Sequence, residues 1–242
     1  MLKLHDFKNL KEEVDCKICD NEGFIETLDK SGYRVAIRCE CQKQRKTLLT
    51  LNKSGLTEDF KRYTFDNFNV TEEYQRMTVK KCYEFLGEFK NGVTNWFSIN
   101  GQVGSGKTHL CTALSGQLIM ENKTFFYFPY MSLLPKLAMD LKNFYLNVKD
   151  EAEKLLEEIK NVDVLYIDDF LKNNDNLTLI WQIIDYRYKK KELITIFSSE
   201  RFYDEMKRID GSLASRIYQR CKGGEFFVEI GRNEERNYRE KQ

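Results

Sequence analysis

The chain has 242 residues, of which 41% are hydrophobic and 32% are charged. This is enough apolar material for one large domain, or for one ordinary domain with a small module. The formal net charge is only +1, so any contact with nucleic acid must come from a local patch. The N-terminal stretch lacks the apolar core of a secretory signal, and no apolar run approaches the roughly 18 residues of a membrane span. We therefore predict a soluble, cytoplasmic protein with no membrane partner.

Four of the seven cysteines cluster near the N-terminus as C-x-x-C and C-x-C, at Cys16, Cys19, Cys39 and Cys41. In a reducing compartment this cluster favours a metal site over disulfides, and four thiolates match a closed, structural zinc site. The intervening sequence alternates on both sides of a "DKSG" turn, which predicts a hairpin and hence a zinc ribbon. Four ordinary thiols and an iron–sulfur cluster are the alternatives.

We predict three segments: a zinc ribbon with a basic helix at 1–50, a linker at 51–70 and a larger domain at 71–242. Basic residues that could contact DNA follow the ribbon: Lys43, Arg45, Lys46 and Lys53. The linker combines charge with an aromatic ring at Lys61, Arg62 and Tyr63, as proteins that bind single strands do. A solvated helix face is the alternative for both groups.

Short apolar strands alternate with helices through the larger domain. Apolar spacing predicts strands at 95–100, 123–130, 162–170, 192–200 and 225–231. It predicts helices at 71–89, 107–120, 131–146, 149–160, 177–191 and 210–222. This alternation indicates an α/β fold with a mainly parallel sheet.

The segment "GQVGSGKT" follows the first of these strands and opens a helix. It matches the phosphate-loop pattern through Gly101, Gly106, Lys107 and Thr108, and that context makes a chance match improbable. In such a loop, backbone N–H groups surround phosphate oxygens, the lysine reaches the β and γ phosphates, and the threonine hydroxyl binds Mg²⁺. We expect the whole loop to bind the nucleotide: Gly101, Gln102, Val103, Gly104, Ser105, Gly106, Lys107 and Thr108. His109, directly after it, is expected on the helix surface.

A second motif, "VLYIDDF", ends a buried strand with Asp168 and Asp169. The carboxyl ends of parallel strands face the ligand, so one acid can hold Mg²⁺ and the other can orient or deprotonate water. We assign Asp168 to the metal and Asp169 to the water, although the order could be reversed. The alternative is a helix cap beside a surface acid.

Two arginines, Arg216 and Arg220, lie four apart and hence on one helix face. They could reach the nucleotide of a neighbouring subunit as an arginine finger supplied in trans. Solvent-facing arginines in a charged helix are the alternative.

The order of these motifs, with "YTFDNF" at 63–68 and "IIDYRYKKKELITIFSS" at 183–199, resembles the helicase loaders of the DnaC/DnaI type. The resemblance covers nearly the whole chain, and it is strongest to phage and prophage versions with a zinc ribbon. It implies an AAA+ ATPase that uses ATP, ADP, Mg²⁺ and Zn²⁺ and self-associates through its AAA+ domain. It also implies an N-terminal region that binds the hexameric replicative helicase and placement of that ring on single-stranded DNA. It favours Arg216 as the finger over the nearby Arg220, and the choice between them stays open.

One position departs from that pattern, because Glu200 stands where the family has an asparagine that senses the γ-phosphate. A carboxylate there could repel the phosphate or bind Mg²⁺. Glu200 at this position therefore favours a second hypothesis, in which the protein is an adaptor that binds nucleotide with little hydrolysis. A transposition helper ATPase of the IstB kind is a third, which the cysteine ribbon disfavours. A small-molecule kinase is a fourth, and it leaves the ribbon unexplained.

Overall fold

The computed structural model describes residues 14–54, 56–90, 96–121, 123–233 and 236–237. The strands are β1 (Phe24–Leu28), β2 (Arg34–Arg38), β3 (Trp96–Gly101), β4 (Phe125–Pro129), β5 (Val164–Asp168), β6 (Ile194–Ser199) and β7 (Phe227–Ile230). The helices are α1 (Cys41–Ser54), α2 (Thr57–Arg62), α3 (Glu73–Lys90), α4 (Lys107–Met120), α5 (Tyr130–Asp140), α6 (Leu146–Asn161), α7 (Leu177–Tyr188), α8 (Tyr203–Ile209) and α9 (Gly211–Arg220). Within these ranges, no helix combines the length and the apolar character needed to cross a membrane.

Five strands form one parallel sheet in the order β4-β5-β6-β3-β7. The central strands β3 and β6 are buried along their whole length, as expected where helices cover both faces of a sheet. The predicted α/β class with a mainly parallel sheet is therefore confirmed. Because the strands are parallel, the ends of β3, β5 and β6 lie side by side at one edge, which brings Gly101, Asp168 and Ser199 together.

The cysteine-bearing segment folds as the predicted hairpin, with β1 and β2 antiparallel. The carboxylate of Asp29 accepts hydrogen bonds from the N–H groups of Ser31 and Tyr33 at 2.8 and 2.9 Å and so fixes the turn. The core of this module consists of the four cysteines with Val14 and Ile25. A two-stranded hairpin with so small a core needs additional stabilisation.

The segment that we assigned to a linker packs into the main core. The buried side chains of Leu56, Phe60 and Phe65 belong to the same hydrophobic cluster as the central sheet. Phe60 meets Phe125 of β4 edge to face, with ring centroids 5.3 Å apart. Helix α2, which the sequence analysis did not predict, lies in this segment. The three-segment division itself stays a prediction.

Two other differences from the predicted elements have local causes. The helix predicted over 131–146 ends at Asp140, and the side chain of Asn143 accepts a hydrogen bond from the N–H of Tyr145, which competes with helix continuation. Helix α8 was missed because it is only seven residues long. Glu205 caps it by accepting the N–H of Phe202 at 2.8 Å.

Arg187 is fully buried and joins three elements. Its guanidinium donates to the carbonyls of Ile159 and Val162 near the end of α6, at 3.2 and 2.8 Å. It also donates to the hydroxyl of Thr195 in β6 at 3.0 Å. A buried guanidinium that satisfies carbonyls in this way is costly to replace, because those acceptors would lose their partners. It fixes α7, the helix on which Arg216 packs, relative to the sheet.

Candidate nucleotide and metal sites

The phosphate loop connects β3 to α4 and has the backbone that phosphate binding needs. Gly104 and Gly106 have φ values of 75° and 87°, in the left-handed region that favours glycine and turns successive N–H groups inward. The hydroxyl of Ser105 donates to the carbonyl of Gln102 at 2.8 Å. The ammonium of Lys107 donates to the same carbonyl at 2.7 Å, and its side chain is buried. The ammonium of Lys107 therefore lies inside the turn formed by the backbone of the loop.

Three acids act on Lys107 from the neighbouring strands. Burial lowers the pKa of Lys107, and the charges of Glu200, Asp169 and Asp168, in that order of strength, oppose the shift. Both predicted acids and Glu200 therefore stabilise the charged form of Lys107.

Asp168 is held by hydroxyl groups from three strands and from α4. Its carboxylate accepts from Thr108 at 3.3 Å, from Tyr127 at 2.9 Å and from Tyr166 at 2.8 Å. The hydroxyl of Ser198 also donates to it. A carboxylate and a threonine hydroxyl are hard oxygen ligands of the kind that Mg²⁺ prefers. Thr108 and Asp168 therefore fit the magnesium site predicted for them.

Asp169 has a different environment. Its φ of 57° is left-handed, and its carboxylate pairs with Lys172 at 3.1 Å. The same ammonium lies 3.2 Å from the carboxylate of Glu200. The backbone N–H of Asp169 donates to the hydroxyl of Ser198 at 3.3 Å, so Ser198 contacts both acids. The sequence analysis did not identify Lys172, because an isolated lysine in a loop gives no motif.

The aromatic segment at 63–68 packs against the start of α4. A Cβ atom on Gly106 would lie 2.7 Å from the ring of Phe68, so that glycine leaves room for the ring. His109 packs between Tyr63 and Phe68, tilted to the first ring and edge to face with the second, with centroids 5.0 Å from each. Its Nε2 lies 2.7 Å from the carbonyl of Thr64. The expectation that His109 is a surface residue is therefore wrong: it is half-buried and anchors this segment beside the phosphate loop.

The chain beyond β7 returns to the phosphate loop. The side chain of Gln102 donates to the carbonyl of Asn233 and accepts from its N–H, both at 2.6 Å. A Cβ atom on Gly104 would lie 2.1 Å from the side-chain oxygen of Asn237. These two asparagines therefore border the loop, and no motif in the sequence predicts the contact.

The two candidate finger arginines lie away from the phosphate loop of their own chain. Arg220 stacks on Trp96, the first residue of β3, at 5.6 Å, whereas the loop follows the last residue of that strand. The strand rises about 3.3 Å per residue, which separates its two ends by roughly 16 Å. Arg216 pairs with Asp185 of α7 at 3.4 Å and stacks on Trp181 at 5.3 Å. Both arginines therefore belong to the face formed by α7, α9 and the opposite edge of the sheet.

The four clustered cysteines have the geometry of a metal site. All four sulfurs lie within 4.8 Å of one another and are buried, with Cys16 and Cys39 3.7 Å apart and Cys19 and Cys41 3.5 Å apart. A tetrahedron with zinc–sulfur bonds of about 2.3 Å places its sulfurs roughly 3.8 Å apart.

The pKa values of two of these thiols differ widely. Burial, with the other thiols, raises the pKa of Cys41 to about 12, whereas backbone N–H groups of Cys19 and Ile18 lower that of Cys16 to about 7. A bound cation would favour the thiolate form of all four, which is the form that binds metal. The cluster can hold a metal ion, and its identity as zinc remains our prediction.

The basic residues near the ribbon are mostly engaged in local contacts. Arg45 donates to the carbonyl of Val14 at 3.2 Å and to the side chain of Asn21 at 2.7 Å, and so braces the cysteine module. Lys61 pairs with Glu58 at 2.9 Å. The side chain of Lys53 lies outside the described residues. These contacts weaken the case for this patch as the DNA-binding surface.

Comparisons with known proteins agree with this geometry. A model of the bacterial DnaA ATPase domain matches residues 60–221. The chain is 36% identical to YqaM of Bacillus subtilis, over 88% of this chain and 74% of that protein. It is 25% identical to the replicative helicase loader DnaC of Escherichia coli, over 72% of this chain and 69% of the loader. The structure of the replication initiator DnaA bound to AMPPCP and single-stranded DNA superposes with a TM-score of 0.57 at 25% identity, over 71% of this chain and 50% of that one.

The metal site gives the first prediction. Purified protein will contain about one zinc ion per chain, and Cys39→Ser will lower the zinc content at least tenfold because three thiolates bind far more weakly than four. Metal analysis after gel filtration, for both zinc and iron, checks this. Cys221→Ala is the control, since Cys221 is buried outside the cluster and its removal will leave zinc bound. Iron in place of zinc, or equal zinc in both variants, would contradict the assignment.

Proposed function

We propose that this chain is an ATP-dependent helicase loader. It belongs to the family of the bacterial DnaA ATPase domain and is an AAA+ protein of the DnaC helicase-loader type. In this role it binds the hexameric replicative helicase and helps to place it on single-stranded DNA when replication starts. The similarity to the loader DnaC supports the helicase-loading part of this proposal, and the contact between the Thr108 hydroxyl and Asp168 carries the ATPase part. It joins the phosphate loop to the acid at the end of β5, as nucleotide hydrolysis requires.

Each residue at this edge has a role in ATP hydrolysis. Residues 101–108 bind the phosphates of ATP or ADP, and Lys107 contributes its charge at the β and γ phosphates. Thr108 and Asp168 would hold Mg²⁺, which would supply positive charge beside the phosphates. Asp169 orients water or accepts its proton. Its carboxylate pairs with Lys172, whereas that of Asp168 accepts from the tyrosine hydroxyls, which supports separate roles for the two acids.

The position of Arg216 supports self-association through the AAA+ domain. Its contacts with Asp185 and Trp181 place it on the face of α7 and α9, so it cannot serve its own nucleotide. A head-to-tail arrangement of subunits would bring this face against the nucleotide of a neighbour. An arginine supplied in this way stabilises the transition state of phosphoryl transfer. Arg220 is likewise engaged, with Trp96, so the choice of Arg216 as the finger rests on the resemblance to helicase loaders.

The N-terminal module offers a surface for a protein partner. Large apolar side chains on the hairpin and its knuckle are exposed: Ile18, Phe24, Leu28 and Tyr33. A small module that exposes this much apolar surface is suited to a protein–protein interface. We assign the hexameric helicase to it, as the resemblance implies.

The loop between α5 and α6 is a better candidate for contact with single-stranded DNA than the basic patch near the ribbon. Phe144 is 100% exposed and Tyr145 is 74% exposed, and Lys142 and Lys149 flank them in the sequence. Exposed aromatic rings between lysines can stack on bases while the charges attract phosphates. This loop follows β4 and therefore belongs to the same unit as the nucleotide site, which would allow ATP to influence DNA binding.

Glu200 supports one competing function, an adaptor that binds nucleotide but scarcely hydrolyses it. A carboxylate beside the γ-phosphate would disfavour charge that builds up during hydrolysis. A transposition helper of the IstB kind has less support, because the clustered cysteines have no role in that hypothesis.

Hydrolysis by the purified protein tests the proposal. We expect ATP turnover that single-stranded DNA stimulates. Lys107→Ala will abolish ATP binding and turnover, and Arg216→Ala will keep ATP binding but lower turnover on the order of 10³-fold. A phosphate-release assay with parallel nucleotide titrations measures both, and Lys136→Ala and Arg208→Ala, at exposed positions, are the controls. ATP binding without turnover in the unchanged protein would support the adaptor instead.

Binding to an oligothymidylate tests the DNA-contacting loop. Phe144→Ala will weaken binding about tenfold, because one base loses its stacking partner. Since the ring is fully exposed, folding will not change. Fluorescence anisotropy measures the affinity. Met139→Ala is the matched control, since Met139 is exposed and apolar but has no aromatic ring. Equal losses in the two variants, or none in either, would exclude stacking by Phe144.

A further inference from the structure

Lys172 lies between two carboxylates at the nucleotide edge of the sheet. Its ammonium is 3.1 Å from Asp169 and 3.2 Å from Glu200. These acids come from different elements, one directly after β5 and the other directly after β6. Lys172 therefore links the ends of β5 and β6 by two ion pairs. Its positive charge also offsets part of the negative charge of the three acids near Lys107.

The loop that carries Lys172 is fixed in place. Its neighbours Phe170 and Leu171 are buried, and Leu171 has a left-handed φ of 56°. The N–H of Phe170 donates to the carbonyl of Ser198 at 2.9 Å, and the hydroxyl of Ser199 donates to the carbonyl of Phe170 at 2.6 Å. Because β6 holds the loop on both sides of Phe170, the lysine extends from a rigid base toward the two acids.

Glu200 lies beside the phosphate loop. Ser199 pairs with Asn100 in the sheet, so Glu200, the next residue, lies next to the start of that loop. Its charge favours the ammonium form of Lys107, the group expected to contact the β and γ phosphates. ATP differs from ADP at this position by one phosphoryl group and its additional negative charge. An unpaired Glu200 would therefore repel ATP more than ADP.

We propose that Lys172 is a positioning residue that neutralises Glu200 and thereby lets the site accept ATP in preference to ADP. This inference rests on the proposed function, because it assumes that residues 101–108 bind a nucleoside triphosphate. Asp169 serves as the second anchor of Lys172 and keeps the ammonium between the two strands. Glu200 is thus tolerated at this position because a lysine on the adjacent strand end offsets its charge.

Nucleotide affinities of single and double variants test the role of Lys172. Lys172→Met will weaken binding of the non-hydrolysable analogue AMPPCP about tenfold and will change ADP affinity less than about twofold. Lys172→Arg will retain most of the preference, since it keeps the charge. The pair is partly exposed and adds little to folding stability, so Lys172→Met will remain folded. Lys136→Met, at an exposed position of α5, will bind both nucleotides like the unchanged protein.

Glu200→Asn supplies the decisive comparison. In the Lys172→Met background it will restore AMPPCP affinity to within about threefold of the unchanged protein, because it removes the charge that was left unpaired. Equal losses of AMPPCP and ADP affinity in Lys172→Met, or no rescue by Glu200→Asn, would overturn the inference and leave Lys172 as a structural residue. Failure of the unchanged protein to bind either nucleotide would instead contradict the proposed function itself.

Discussion

The carboxylate of Asp168 is the point on which the nucleotide site depends. Hydroxyl groups from β4, β5, β6 and the first turn of α4 all donate to it. This convergence is possible because parallel strands end together at one edge. It fixes Thr108, and therefore the end of the phosphate loop, relative to three strands. A shift of β5 or β6 would therefore move Thr108 through this single acid, and so change its contact with a nucleotide bound at the loop.

The rest of the edge is organised by charge. Lys107 lies within the loop and Lys172 lies across the two neighbouring strand ends, so two ammonium groups oppose three carboxylates. The arginines that could complete hydrolysis are held on the far side of the domain by α7 and by Trp96. In the proposed mechanism, one chain binds and positions ATP but lacks the last positive group, which a neighbouring subunit would supply as Arg216. Hydrolysis would then depend on assembly.

The sequence was sufficient for features that have a strong local pattern. Apolar runs placed the five strands of the main sheet. The glycine-rich loop and the cysteine pairs predict a nucleotide site and a metal site, because their spacing itself carries the chemistry. Features that depend on tertiary contact were missed. Phe60 and Phe65 read as linker residues, yet they enter the core. Arg187 reads as one more charged residue of a helix, yet it is fully buried. Lys172 and Asn237 have no motif, since their contacts join segments that are distant in the chain.

The central claim, that neighbouring subunits complete one another's sites, is tested most directly by mixing two inactive variants. Lys107→Ala removes phosphate binding and keeps Arg216, whereas Arg216→Ala keeps the phosphate loop and lacks the arginine. By itself, Lys107→Ala will be inactive and Arg216→Ala will retain only about a thousandth of the normal turnover. In an equimolar mixture, about a quarter of the interfaces will combine an intact loop with an intact arginine, and turnover will return to roughly that fraction of the unchanged protein. A mixture as inactive as its components would contradict the account.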